Sequence, residues 1–184
     1  MNFIKTNFEN VIVIEPQVFT DNRGYFFESY REQEFKDNGI DCNFVQENQS
    51  MSKYGVIRGL HTQLGEFDQA KIVKVIKGKV LDVIVDIRPY SNTFGQYFSI
   101  ELSEENKKQL FIPKGFLHGY SVLSENCIFT YKLDGYYNKN AEYGVIYNDI
   151  DLNINWKIPK NDVVIVEKDK LLHTFKELKE FLNV

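Results

Sequence analysis

The sequence predicts an all-β protein, an antiparallel sandwich or barrel with a few short helices. Three observations carry that expectation. Lys79 to Ile87 alternates with period two: Leu81, Val83, Val85 and Ile87 are apolar, and Asp82 and Asp86 fall between them, as in a strand with one face on a core. Similar short segments recur at close spacing, with almost no crossover helix between them, which favours antiparallel pairing. The helical signals are few and brief.

In chain order, strands are expected over Val11 to Ile14, Tyr25 to Tyr30, Phe44 to Gln46, Ala70 to Ile76, Lys79 to Ile87, Tyr97 to Leu102, Gln109 to Ile112, Leu117 to Leu123 and Cys127 to Leu133. Lys77-Gly78 reads as a hairpin turn, because Gly supplies the positive φ that tight turns need. Arg31 to Asn38 has room for two helical turns, with Gly39 as the stop. Ser103 to Asn106 resembles a single capped turn. Phe175, Leu178, Phe181 and Leu182 lie at helical spacing behind Thr174, a suitable N-cap.

The chain has 184 residues, 43% of them hydrophobic and 26% charged, which suits one soluble domain with a real core. Its aromatic share is high, with 15 Phe, 11 Tyr and one Trp. Twenty-two basic residues face 26 acidic ones, a net charge of −4. That balance argues against a general nucleic-acid binder, which needs excess Lys and Arg to neutralise phosphates. No apolar run reaches the roughly 18–20 residues of a membrane span. Asn7, Glu9 and Asn10 interrupt any secretory pattern at the start. Cys42 and Cys127 lack metal-type spacing, and two reduced thiols in a cytoplasmic protein are expected over a lone disulfide.

Three histidines stand out by their scarcity: His61, His118 and His173. His61 and His118 lie beside glycines at strand edges, where backbone can approach a ligand closely. Structural histidines satisfied by backbone are the alternative. A metal site would need two or three His and a carboxylate converging on one ion, and His61-Thr62-Gln63 lacks the His-x-His pair that supplies two ligands cheaply. Lys71 shares a strand face with Val73 and Val75, and Lys74 one with Ile72 and Ile76. At least one lysine therefore sits on a buried face, where it needs an anion or a snorkelling route to water. Tyr131, Tyr136, Tyr137, Tyr143 and Tyr147 cluster. Packing accounts for most of them, but a phenol is also a general acid and a stacking platform.

At these residues the chain resembles the dTDP-4-dehydrorhamnose 3,5-epimerase family. The resemblance runs from about Ile12 to Phe175 through blocks in the family's order: Asp21 to Glu28, Gln46 to Ser50, Gly55 to His61, Gln69 to Lys71, Asp82 to Arg88, Ser91 to Gly95, Ile112 to Gly119 and Tyr131-Lys132. It implies a cupin-like jelly-roll barrel, with its core at about 11–135 and a segment 136–184 completing the site of one domain, 1–184. It also implies a homodimer that exchanges an N-terminal strand, no metal and no organic cofactor. The implied reaction is epimerisation at C3 and C5 of a dTDP-linked 4-keto-6-deoxyhexose.

By the family motif His61 would be the base, Asp169 would hold its ring, Lys71 would face the enolate oxygen, and Tyr131 would reprotonate from the opposite face. Tyr137 would stack on thymine. Arg23, Glu28, Gln46, Asn48, Arg58, His118, Glu142 and Lys168 match positions that hold the nucleotide or its phosphates, and Phe26 and Glu28 would come from the exchanged strand.

The residue types suit this chemistry on their own terms. Taking a proton α to a ketone requires a positioned cation or donor at the developing oxyanion. A His base works best with its other nitrogen on a carboxylate. Inversion needs an acid on the other face, and a diphosphate matches the planar fork of Arg. Thr62, Val166 and Ile150 depart from the family pattern, which leaves open the sugar and whether both carbons react. A single-carbon epimerase, a 3,4-ketoisomerase, a metal-dependent barrel enzyme and a non-catalytic binder are the alternatives. Arg58 and His61 have opposite parity on a regular strand; for both to reach one pocket, Gly59 must mark a bulge.

Overall fold

Alternating apolar residues bury one face of a strand only if a second layer covers it, and here two antiparallel sheets cover each other. The computed structural model describes residues 1–184. The strands are β1 (Asn2–Lys5), β2 (Ile12–Glu15), β3 (Phe19–Asp21), β4 (Gly24–Phe26), β5 (Gln46–Lys53), β6 (Ile57–Gln63), β7 (Lys71–Lys77), β8 (Lys79–Asp86), β9 (Tyr97–Ser103), β10 (Gln109–Ile112), β11 (Phe116–Val122), β12 (Asn126–Leu133) and β13 (Glu142–Gly144). The helices are α1 (Glu32–Asp37), α2 (Glu167–Lys170) and α3 (Phe175–Leu182). One sheet runs β1-β2-β10-β7-β12-β5, the facing sheet runs β13-β6-β11-β8-β9, and β3-β4 forms a separate hairpin. No helix is long and apolar enough to cross a membrane.

Three apolar clusters follow from this layering. Val73, Val75 and Phe129 of the six-stranded sheet meet Val80, Ile84, Phe116 and Val122 of the five-stranded sheet in the barrel interior. Leu81, Val83, Val85 and Leu117 point outward from the five-stranded sheet, under Trp156, Phe175 and Leu178 of the C-terminal segment. Ile12, Ile14, Ile72 and Phe111 are covered by Phe35 of α1 and by Ile40. Each such side chain, fully buried, contributes roughly 1.5–3 kcal/mol.

β8 therefore departs from the one-sided strand its alternation suggests. Every residue from Val80 to Asp86 is buried: the odd positions lie under the C-terminal segment and the even positions, Asp82 included, face the barrel interior. The hairpin expected at Lys77-Gly78 is instead a corner, since β7 and β8 belong to opposite sheets. Gly78 keeps its positive φ of 80°, and a Cβ there would collide with the carbonyl oxygen of Asn126.

The strand expected over Tyr25 to Tyr30 stops at Phe26 because its only partner is the three-residue β3. The strand expected over Phe44 to Gln46 begins at Gln46 and runs on to Lys53 along β12. Both helical expectations hold. Gly39 follows α1 at φ 88°, and α3 starts in a capping box between Thr174 and Glu177. Ser103 and Asn106 close their turn by reciprocal side-chain bonds of 3.1 Å each. Cys42 and Cys127 are free, and burial pushes both thiols up to about 11.

Candidate active site

The interior faces of the two sheets converge on a cavity of about 650 Å³ at the mouth of the barrel. β6 and β11 bring His61 and His118 there as directly opposed residues, so both rings lie on one face. Arg58 is paired with Tyr120, and the register shifts between these two pairs. Gly59 absorbs the extra residue at φ 111°, followed by a cis peptide to Leu60. A Cβ at Gly59 would lie 2.6 Å from both the Gly119 Cα and the His118 carbonyl oxygen, so the bulge needs glycine. It resolves the parity conflict, and Arg58 and His61 both line the cavity. Arg58 Nε donates to Ser52 Oγ at 3.1 Å.

Each of these histidines is paired with a carboxylate. His61 Nε2 lies 3.0 Å from Asp169 Oδ1. Asp169 enters from the short α2, and burial pushes its carboxyl up, but the His61 bond, the charges of His61 and Lys168 and the Gly59 amide outweigh that and hold it low. His118 Nε2 lies 2.9 Å from Asp82 Oδ2 on β8. His61 and His118 thus belong to two separate His–Asp pairs, and no group of three or more His, Cys, Asp or Glu side chains converges as a metal site.

Lys71 and Tyr131 come from the opposite wall, on β7 and β12, where Tyr131 pairs with Val73 and with Asn48 of β5. Lys71 lies at the open end of the interior row Lys71, Val73, Val75, and Lys74, on the outer face beside the buried Ile72, is half-buried as well. Burial pulls the Lys71 ammonium down to about 8, against the opposing pull of Asp68 and Asp82.

The rim is built by residues 136–142 and 164–169. Tyr137 Oη donates to Glu142 Oε2 at 2.7 Å, and Lys168 Nζ to Glu142 Oε1 at 3.3 Å. Burial raises the Glu142 carboxyl, but the Tyr137 hydroxyl and the Lys168 and His61 charges hold it low. Gln46 Oε1 accepts from the Tyr137 amide at 3.2 Å, and Gln46 Nε2 donates to Asn48 Oδ1 at 3.2 Å.

The cavity thus gathers His61, Tyr131, Asp169, Lys71, Asn48, Arg58, His118, Tyr137, Glu142 and Lys168, with Gln46 behind its rim. It does not gather Arg23, Phe26 or Glu28. Arg23 is fixed to Asp21 in the β3–β4 turn, Phe26 is 71% exposed, and Glu28 pairs with Arg31 at 2.7 Å. Sequence reasoning missed Ser50, Gln63, Tyr120 and the Val164-Ile165-Val166 wall. Gln63 Oε1 accepts from the Asn138 amide at 2.7 Å and so anchors the rim. Tyr120 Oη meets Ser50 Oγ at 2.8 Å. Their polar atoms on strand faces that a barrel should bury were the available signal. Thr62 and Val166 line the cavity, whereas Ile150 is exposed away from it.

The arrangement can take a proton on one wall, give one from the other, and hold negative charge between. Comparison with known proteins bears on the same residues. The family model for dTDP-4-dehydrorhamnose 3,5-epimerase matches residues 5–177. A dTDP-4-dehydrorhamnose 3,5-epimerase from Methanothermobacter thermautotrophicus is 46% identical over 169 residues, covering 91% of each chain. The crystal structure of one from Elizabethkingia anophelis is 49% identical, superposes with a TM-score of 0.92, and is matched over 96% of this chain and 97% of its own. A dTDP-6-deoxy-D-glucose-3,5-epimerase from Legionella pneumophila, solved with dTDP-4-keto-L-rhamnose, is 42% identical with a TM-score of 0.91, matched over 96% of both chains.

Proposed function

This chain belongs to the dTDP-4-dehydrorhamnose 3,5-epimerase family, and on that premise we propose that it epimerises C3 and C5 of dTDP-4-keto-6-deoxy-glucose to give dTDP-4-keto-L-rhamnose, on the route to dTDP-L-rhamnose. The observation that carries this reading is the opposition of His61 and Tyr131 on facing walls of one cavity, with Lys71 beside Tyr131's wall and Asp169 behind His61.

C3 and C5 both flank the C4 ketone, so one enolate oxygen serves both steps. In each step the ring nitrogen of His61 not held by Asp169 takes the carbon-bound proton. The bonding pair moves to the carbonyl oxygen, and the Lys71 ammonium faces the charge that forms there. Asp169 stabilises the resulting imidazolium. Tyr131 then returns a proton to the opposite face of the carbon, and solvent resets both groups. No metal or organic cofactor enters this scheme. Arg58, His118, Asn48, Gln46, Glu142 and Lys168 surround the nucleotide and its phosphates, and Tyr137 offers its ring to thymine once it leaves Glu142.

A second copy of the chain completes the site in this reading. The β3–β4 hairpin presents Phe19, Tyr25 and Phe26 to solvent, and a lone hairpin is marginal without a partner. Delivery of Phe26, Glu28 and Arg23 to the partner's cavity gives these residues the phosphate and sugar contacts they lack in their own. Two free thiols suit a reducing compartment, as in a cytoplasmic enzyme.

Turnover in D₂O tests the reaction. Deuterium is expected at both C3 and C5, and His61→Asn is expected to abolish incorporation while the protein stays folded. Exchange that survives in His61→Asn would remove His61 as the base. Exchange at one carbon only, or migration of the ketone, would assign a single-carbon epimerase or a ketoisomerase instead.

A further inference from the structure

Residues 134–138 leave the end of β12 without a strand partner, yet they carry Tyr137 to the mouth of the cavity. A backbone outside any ladder must find other partners for its amides and carbonyls. Three glutamines provide them, each from a different part of the barrel wall. Gln46 of β5 accepts from the Tyr137 amide through Oε1 at 3.2 Å, and Gln63 of β6 accepts from the Asn138 amide through Oε1 at 2.7 Å. Gln69, just before β7, donates Nε2 to the Gly135 carbonyl at 2.7 Å. The start of this strap is fixed as well, because Asp134 Oδ1 accepts from the Ala70 amide at 2.7 Å and the Asp134 amide donates to the Ala70 carbonyl at 3.2 Å.

Gln63 and Gln69 are only 4% and 7% exposed, and both line the cavity. If packing alone were at stake, an apolar residue would fill either place at lower cost. Each side chain makes one hydrogen bond, and in both cases the partner is the strap. The strap also dictates which end of each amide is used: an acceptor for Asn138 and a donor for Gly135. Gln63 stands opposite Glu142 of β13, and Glu142 holds the Tyr137 hydroxyl at 2.7 Å. A carboxylate at position 63 would accept from the Asn138 amide equally well, but it would set a second negative charge beside Glu142. The neutral amide avoids that. Tyr137 is thus held at its hydroxyl by Glu142 and at its backbone by glutamines on either side.

We propose that Gln63 and Gln69 are positioning residues of the nucleotide site: by fixing the backbone of residues 135–138, they hold the Tyr137 ring where a nucleobase stacks on it. This rests on the reading of Tyr137 as the thymine platform. The two glutamines act through Tyr137 and need no contact of their own with the ligand. A strap ordered in advance strengthens binding, because the ligand does not have to order it.

Two measurements on the whole protein test this. The first is amide hydrogen exchange in the ligand-free protein, followed by NMR. Gln63→Met keeps the length of the side chain and removes the acceptor. It is expected to speed exchange of the Asn138 amide by about 10-fold or more while the β11 amides stay as they are. Gln63→Glu keeps an acceptor oxygen and is expected to keep the Asn138 amide slow. Gln69→Met, which frees the Gly135 carbonyl, is expected to speed the Tyr137 and Asn138 amides by a smaller factor, and it stands in if Gln63→Met does not fold. Unmoved strap amides in whichever of these Met variants folds overturn the proposal.

The second is calorimetric titration with dTDP. Tyr137→Ala is expected to weaken binding by about 10-fold, and Gln63→Met by about fivefold. Added to Tyr137→Ala, Gln63→Met should change the affinity by less than about twofold, since no ring is left to position. Losses that multiply would mean that Gln63 acts by its own contact or by general loosening, and they overturn the proposal. So does wild-type affinity in Gln63→Met when Tyr137→Ala is weakened. If Tyr137→Ala binds dTDP like the wild type while the strap amides loosen as expected, the glutamines hold the strap and the reading of Tyr137 as the base platform fails instead.

Discussion

The site holds two His–Asp pairs that look alike in pairwise geometry and differ in everything around them. His61–Asp169 spans 108 positions of sequence at 3.0 Å, and His118–Asp82 spans 36 at 2.9 Å. The His61 ring is 28% exposed and the His118 ring 10%. Asp169 sits in a late turn of the chain among donors, the Gly59 amide and the charge of Lys168 included. Asp82 sits in a barrel strand among apolar neighbours with an oxygen to spare. An accessible ring with a well-supported carboxylate suits repeated gain and loss of a proton. A sequestered ring over a bare carboxylate suits a fixed dipole. On the proposed reading, the same two residue types serve motion of charge in one place and stillness in the other.

The contrast is broken most directly by removing each ring. His61→Asn is expected to lower kcat by about 10³-fold or more. His118→Asn is expected to act mainly through KM, raising it by about 10-fold, as loss of a contact made equally in the bound substrate and the transition state does. Steady-state kinetics on both variants checks this, and equal losses of kcat would make the pairs equivalent.

Lys71→Met comes next, with kcat down by about 10²–10³-fold. Its stability should move the other way. The Lys71 ammonium is pulled down to about 8 when folded, while an unfolded lysine holds its proton to about 10.4. The folded state therefore bears the cost of the charge fully below the folded value, and stability from this group rises with pH between the two. Lys71→Met should gain on the order of 2 kcal/mol at neutral pH, and denaturant titrations should show that gain shrinking as pH rises towards the ordinary lysine value. The wild-type kcat/KM should show an alkaline limb near 8.

Asp169→Asn should cost about 10²-fold in kcat with KM nearly unchanged, because it disturbs the tautomer of His61 and not the nucleotide contacts. Its carboxyl is held low in the fold, so its stabilising contribution is complete above the ordinary aspartate range and is lost as pH falls through the depressed folded value. Melting curves should show wild type and variant apart at neutral pH and converging in acid. The smallest effect is expected from Tyr137→Phe, which keeps the ring and removes an exposed bond to Glu142: kcat/KM should change by no more than about threefold, whereas Tyr137→Ala should lose the stacking platform and raise KM.

What the sequence disclosed depended on what each strand face meets. β7 and β12 were legible because most of their interior residues are apolar, and β8 because its outward residues Leu81, Val83 and Val85 are apolar under the C-terminal segment. β5 was not, although its burial alternates as regularly: its inward residues are Asn48, Ser50 and Ser52, because that face looks into the cavity and not into a core. Asp82 stayed hidden for the reverse reason, since an interior aspartate on an alternating strand reads like a solvent-facing one. Gly78 announced a positive φ without saying whether the chain returned to the same sheet. The residues of the cavity were legible through short motifs, and the Arg58–His61 parity conflict located the bulge. Arg23, Phe26 and Glu28 share those motifs yet lie outside the cavity of their own chain, because β3 and β4 pair only with each other.

The last turn of the site also has a part in the core. All strands of the six-stranded sheet lie before Asp134, but Asp169 is held against His61 by a segment tied down further on. Val164 bridges to Val56, the Phe175 amide is capped by Asp149 at 2.8 Å, and α3 docks through Phe175 and Leu178. The segment that brings Asp169 to His61 is thus the one that covers Leu81, Val83 and Val85 of the five-stranded sheet, so the carboxylate partner of His61 and the outer core of that sheet are put in place by the same last fifth of the chain.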